Sequence, residues 1–275
     1  MYQPVIPLPG NVGWHFLQDT YSRQLESFSN SSEIKNDREY MQKKLSGSIT
    51  LDDFLADKRL LRITLTSFGL EGEEWKGGFI RKAIEEASDP ESTFLTRLNN
   101  PKYTKFSETF APIEGKIIIT STELSEMAAN FESAAFESAV GDVDENMRLA
   151  LNFQSQISEV ATDGSSDKTI LYRLLGDVPM TTLLQSALNL PAEMSSLDLD
   201  RQADVLKERM TSVLGINNMA ELKSPEIVEK VIERFHVMET ISNGASSYSP
   251  ASAALTLLSN GIGSQASQNL FLSLL

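Results

Sequence analysis

TLDDFLADKRLLRITLTSFG, residues 50–69, is the best-specified helical stretch of the chain, and the fold reading starts from it. Thr50 is a good N-cap. Asp53, three residues on, completes a capping-box-like pair whose charge suits a helix N-terminus, and Gly69 closes the other end. Between them Leu51, Phe54, Leu55, Leu61, Leu65 and Phe68 keep the helical repeat, while Leu60 and Ile63 make the second half apolar nearly all round. A helix of that kind has to be covered on several sides. The expectation is one continuous helix at the centre of a multihelical, all-α core.

The flanking sequence reads the same way. Pro4, Pro7, Pro9 and Gly10 make residues 1–11 an extended arm. A helix from Trp14 to Phe28 carries Trp14, Leu17, Tyr21, Leu25 and Phe28 on one stripe, and Asn30-Ser31-Ser32 caps a second helix ending near Leu45. Beyond Gly69 a helix over 73–87 would turn Trp75, Phe79, Ile80, Ala83 and Ile84 inward. Asp89-Pro90 and Asn100-Pro101 each start another, since Asn caps well and proline fits the first helical turn.

PIEGKIIIT, residues 112–120, is the one strand-like stretch, because three isoleucines follow in series. It reads as an extended connector between a first helical half, 12–111, and a second, 121–239. The second half opens on a long helix from Ser121 to Val140, whose Ala128, Ala129, Ala134, Ala135 and Ala139 would admit a close neighbour. Helices near 143–161, 167–175, 179–188, 191–195, 198–214 and 225–240 follow, punctuated by Gly, Asn and Pro. From Thr240 to Leu275 there is no charged residue, which sets this tail apart.

A shift of about 120 residues brings matching punctuation into register, the sign of an internal duplication. Phe68-Gly69-Leu70 falls on Leu188-Asn189-Leu190, and Gly and Asn are the residues that best tolerate a left-handed helix end. Arg81 falls on Arg201; with a slip of about four residues Asn100-Pro101 meets Ser224-Pro225. Pro179 is the mismatch. It falls on Arg59 and would break the second copy's central helix where the first copy runs on.

Composition removes several function classes. A net charge of -14 and a pI near 4.7 leave no basic face for nucleic acid or an anionic membrane surface. The absence of cysteine removes disulfides, thiolate metal sites and cysteine nucleophiles, and only His15 and His236 could supply imidazole. The N-terminus has no basic region followed by an apolar run, so no secretory signal is read there. No apolar run reaches the roughly 18 residues of a membrane span, so no insertion into a membrane is expected and a cytoplasmic protein is.

Motif by motif, chemistry is hard to place. Glu233 and His236 have the i, i+3 spacing of carboxylate-bridged di-iron bundles, but such sites need two pairs and His15 has no glutamate three residues before it. A surface or helix-end histidine is the simpler reading. Gly261-Ile-Gly263-Ser-Gln-Ala266 matches a dinucleotide string without the strand before it or the acid after it. Asp142-Val-Asp144 imitates a calcium loop, yet Met147 stands where its glycine belongs, so acidic capping of the next helix explains it better. No catalytic, cofactor or metal residue is assigned.

GWHFLQDTYSRQLESF (13–28), ITLDDFLADKRLLRITLTSFGL (49–70), FIRKAIEEASDPESTFLTRLNNPKYTKFSETF (79–110), ENMRLALNF (145–153) and LPAEMSSLDLDRQADVL (190–206) together resemble a bacterial, alphaproteobacterial family of uncharacterised proteins classed only as a domain of unknown function. The likeness runs over residues 12–239. It implies a multihelical protein encoded among flagellar genes, and it carries no catalytic or ligand-binding residues with it. The expectation is a non-enzymatic helical interaction protein of flagellar assembly or motility, with other proteins of the flagellar or export system as partners. A cytoplasmic adaptor or export chaperone is the alternative, its groove lined by Trp14, Tyr21 or Trp75. A second alternative is an exported component, leaving through the flagellar apparatus without a cleaved signal, whose tail folds on assembly through leucines and aromatics such as Leu255, Leu258 and Phe271.

Overall fold

A computed structural model describes residues 2–89 and 91–247. It is all-α apart from one two-stranded pair. The first half comprises α1 (Gly10–Ser29), α2 (Ser32–Leu45), α3 (Leu51–Ala56), α4 (Lys58–Ser67), a 3-10 turn (Glu74–Lys76), α5 (Gly77–Ala87), α6 (Phe94–Leu98) and α7 (Pro101–Thr109). The second comprises α8 (Ser121–Gly141), α9 (Glu145–Val160), α10 (Asp167–Gly176), α11 (Val178–Ala187), a 3-10 turn (Ala192–Ser196), α12 (Leu199–Leu214), a 3-10 turn (Met219–Lys223) and α13 (Pro225–Ser247). Strand β1 (Ile49–Thr50) pairs antiparallel with β2 (Lys116–Ile117), in register Ile49 to Ile117 and Thr50 to Lys116. The 112–120 connector is thus tied back to the loop ahead of α3.

The deciding stretch is two helices, not one. At Asp57 the backbone leaves helical geometry (ψ 89°) while its carboxylate accepts the Leu60 amide at 3.0 Å, capping α4. Tyr40 Oη donates to the same carboxylate at 2.6 Å and Lys44 Nζ lies 3.0 Å away, which holds the break in place. α4 itself occupies the centre, as its all-round apolarity requires: Leu60, Leu61, Ile63 and Leu65 are fully buried, and Thr64, Thr66 and Ser67 are buried with them. It packs on α2 and α8. Asp37 of α2, buried, receives both Arg59 (2.7 Å) and Arg62 (2.5 Å) of α4.

The break at Asp57 turns the Pro179 mismatch into a match. Asp177, 120 residues on, caps α11 through the Met180 amide at 3.1 Å, and Pro179 sits in the first turn where no amide donor is needed. The far ends agree as well. Gly69 (φ 67°) and Asn189 (φ 50°) take the same left-handed position, with Leu70 N donating to Leu65 O at 2.9 Å and Leu190 N to Gln185 O at 2.8 Å. Apart from β1, four helices followed by a 3-10 turn open each half; beyond that the first half runs α5, α6 and α7, and the second runs α12, a 3-10 turn and α13.

The halves do not stand apart. One hydrophobic core runs from Trp14 to Phe235; α8 packs on α1, α2 and α4, and α1 packs on α13. Phe136 of α8 meets Tyr21 and Phe28 of α1 edge-on at 5.4 and 5.5 Å.

Other expectations shift by a turn or a face. α1 starts at Gly10, so the extended arm is shorter than read, and it is docked: Gln24 accepts from Val5 N at 2.7 Å and donates to Val5 O at 3.1 Å, a strand-like pair supplied by a side chain. Ala129 faces outward, whereas Ala128 is buried. α13 continues past Thr240 to Ser247. Residues 248–275, with Leu255, Leu258, Phe271 and the Gly261–Ala266 string, lie outside the described residues.

Candidate functional site

Where the halves meet, an open groove of about 770 Å³ is lined by Tyr21 of α1, the α4 exit (Thr66–Glu71), the start of α7 (Asn100–Lys105), one face of α8 (Asn130–Ser138), α9 (Arg148–Glu159) and the start of α11. Local sequence places each wall. Gly69 turns the chain so that Glu71 comes back over α8. Asn100 accepts the Lys102 and Tyr103 amides at 3.0 and 3.2 Å, and Asp177 caps α11, so two helix N-termini converge with their donors already satisfied. Lys102 of α7 reaches Asp177 at 2.8 Å, both largely shielded from solvent, and this pair joins the halves across the groove.

Most charges lining it are paired. Lys105 meets Glu159 at 3.1 Å, Arg148 holds Glu145 on its own helix, and Tyr103 Oη donates to Glu73 at 2.8 Å. Two carboxylates are not: neither Glu71 nor Glu137 makes an ion pair among the described residues. Glu137 is pushed up to about 7 by burial, relieved in part by the Ser155 hydroxyl and the charges of Lys102 and Arg148. Glu71 is raised as well, chiefly by burial, against a hydrogen bond from Ser138 Oγ at 3.3 Å. Burial and the Glu137 charge raise Tyr21. Asn152 lines the same groove with a buried Oδ1 that no protein donor meets.

The residues expected to take partners are not brought together. Tyr21 is half-buried in the groove wall. Trp14 is core, its ring 5.9 Å from that of His236, so it offers no surface. Trp75, expected inward on a helix over 73–87, is 79% exposed on the short 3-10 turn ahead of α5, with Lys76 Nζ 5.2 Å from its ring. Glu71, Glu137 and Asn152 carry no motif. The one available signal was a glutamate set among the small residues of α8, a face otherwise built for close approach.

Neither histidine lines the groove. His236 is buried, not at the surface or a helix end, and burial lowers it to about 4. Glu233 faces His15 at 4.0 Å instead of joining His236. Asp144 caps α9 through the Asn146 and Met147 amides at 2.9 and 3.3 Å. No group of three His, Asp or Glu side chains converges among the described residues, and no helix among them is long and apolar enough to cross a membrane.

A multihelical array with a polar groove at its midline is the class this geometry defines. Residues 67–228 match the family described as protein of unknown function DUF1217, and the chain belongs to that family. The crystal structure of protein AGR_C_984 from Agrobacterium tumefaciens has the same fold, with a TM-score of 0.67 at 24% identity over 88% of this chain and 99% of that one. No curated protein matches significantly.

Proposed function

We propose that this chain is a non-enzymatic helical interaction protein of bacterial flagellar assembly or motility, acting in the cytoplasm as an assembly factor or minor structural component on flagellar or export-system proteins. The observation that carries the interaction reading is the groove. It is wide, polar and open, its serines have no histidine to activate them, and its unpaired groups are suited to contacts with another molecule. The flagellar setting is supported by the likeness of residues 12–239 to proteins encoded among flagellar genes. Deletion of the gene in a flagellated host should impair swimming or filament number, with restoration by the wild-type copy. A deletion strain that swims and builds filaments normally overturns the proposal.

An adaptor or export-chaperone role has one specific observation in its favour, the exposed Trp75 face beside Lys76. An amphipathic partner helix could cover that ring. Trp75→Ala should then release the captured partner and leave the fold intact; unchanged capture removes this reading.

A further inference from the structure

We infer that residues 250–258, PASAALTLL, turn back on the molecule and cover the seam between α1 and α13, forming an αα-hairpin with α13. The inference is independent of the interaction reading above. Three contacts set α1 and α13 antiparallel. A methyl group on Gly10 would stand 3.4 Å from Thr240 Oγ1, the Trp14 and His236 rings are 5.9 Å apart, and His15 Nε2 lies 4.0 Å from Glu233. The His15–Glu233 pair is exposed, so it marks the solvent side of the seam. Val12 lies one helical turn before His15, and Val237 and Ile241 lie one and two turns after Glu233. Because the helices are antiparallel, these steps run the same way along the seam, towards the exit of α13 at Ser247. All three side chains are open to solvent, at 64%, 46% and 58%, and Leu8 is exposed just ahead of α1. An apolar strip therefore leads from the His15–Glu233 pair towards the place where the tail begins.

The occupant follows from the sequence that starts there. Ser249 is an N-cap type, Pro250 fits the first helical turn and Asn260-Gly261 is a stop, so a helix over 250–258 is predicted. Ala251, Leu255 and Leu258 recur at i, i+4 and i+7, which makes one apolar stripe. Only Tyr248 and Ser249 separate this segment from α13, a connection of the length that αα-hairpins use. With a rise of about 1.5 Å per residue on both sides, an antiparallel return brings Leu255 level with Ile241 and Leu258 towards Val237. The charge pattern fits as well: the chain carries -14 overall and nothing charged from Thr240 onwards, so this segment is poorly solvated alone and meets no repulsion on an apolar strip. So short a tether gives an effective concentration on the order of millimolar, which favours the chain's own segment over a second copy.

Hydrogen exchange on the full chain tests the inference. Amides of residues 251–258 should exchange about tenfold or more slowly than in an isolated 248–275 peptide, at a rate unchanged by dilution of the protein. Val237→Asp combined with Ile241→Asp puts two charges on the strip at exposed positions and should return these amides to the peptide rate, with thermal melting as the check on the helical body. Should that variant melt early, Leu255→Asp combined with Leu258→Asp, which changes nothing in residues 2–247, is expected to give the same loss. Exchange at the peptide rate in the wild type overturns the docking. Protection that survives either pair of substitutions in a folded protein overturns the seam assignment. Protection that disappears on dilution puts the segment on a second copy and overturns the hairpin.

Discussion

Gly13→Ala isolates what holds the N-terminal arm. Gly13 lies in α1, where alanine is ordinarily favoured over glycine by up to about 1 kcal/mol. A Cβ at this position would stand 1.8 Å from the Leu8 carbonyl oxygen, 2.9 Å from the Leu8 carbonyl carbon and 3.0 Å from Met147 Cε. A main-chain contact that short cannot be relieved by a rotamer change, so the arm has to move by well over about 1 Å. That displacement breaks the pair of bonds between Val5 and Gln24, each worth about 1 kcal/mol net, and takes the Val5 donor from the buried Gln24 Oε1, while Nε2 keeps Thr20 Oγ1 at 2.8 Å. It also separates Tyr2 from the Phe28 ring, now 6.1 Å away. The net expectation, after the helix gain, is a loss of about 1–3 kcal/mol. Urea unfolding measures it, and hydrogen exchange at the Val5 amide should show lost protection. Gly78→Ala is the matched control, since a methyl group added there meets nothing within 4 Å and a gain of about 0.4–1 kcal/mol is expected. If Gly13→Ala is as stable as wild type and Val5 stays protected, the account of the arm is refuted.

Asp177→Ala should cost about 2 kcal/mol or more by removing a cap and leaving Lys102 unpaired, whereas Asp177→Asn retains the cap and should lose less, both read from denaturant midpoints. His236 is held near 4 in the fold against 6.5 in the unfolded chain, so its contribution to stability is intact above pH 6.5 and is lost as the pH falls towards 4. That loss is on the order of 3 kcal/mol, and His236→Phe should flatten this part of the stability profile. Glu137 acts in the opposite sense: its raised pKa means that stability falls as pH rises from about 4.5 to 7. Glu137→Gln should therefore be more stable than wild type at pH 8 by about 1–2 kcal/mol, with no advantage at pH 4. Gly69→Asn should be tolerated and Gly69→Val should not, because Asn189 already takes the equivalent left-handed position; thermal melting separates them.

Helix punctuation made most of the fold legible in the sequence. Caps at Thr50, Asn100, Thr120 and Asp198 act as their residue types suggest, because each satisfies amides within three residues and depends little on distant chain. The break at Asp57 was hidden because LADK reads as good helix; Tyr40 and Lys44, brought in from α2, complete the set that holds the break. The inward reading of Trp75 failed for a related reason: the helical repeat was extended across a 3-10 turn, whose different pitch sends the ring to solvent. Little of the groove was legible: of the residues expected on a groove, Tyr21 lines it, and Trp14 and Trp75 do not. Glu71 and Glu137 are ordinary surface letters until the return of α8 over α4 encloses them.

The two-stranded tie between Ile49-Thr50 and Lys116-Ile117 has a consequence for cutting the chain. Glu114 and Gly115, both exposed and both at positive φ, form the tip of the turn just ahead of β2, so a protease nick there severs no strand pairing. Each fragment would keep one strand of the tie and one side of the α4–α8 contact. The nicked protein should travel as a single species until denaturant is added, and the two pieces, made separately, should complement each other on mixing.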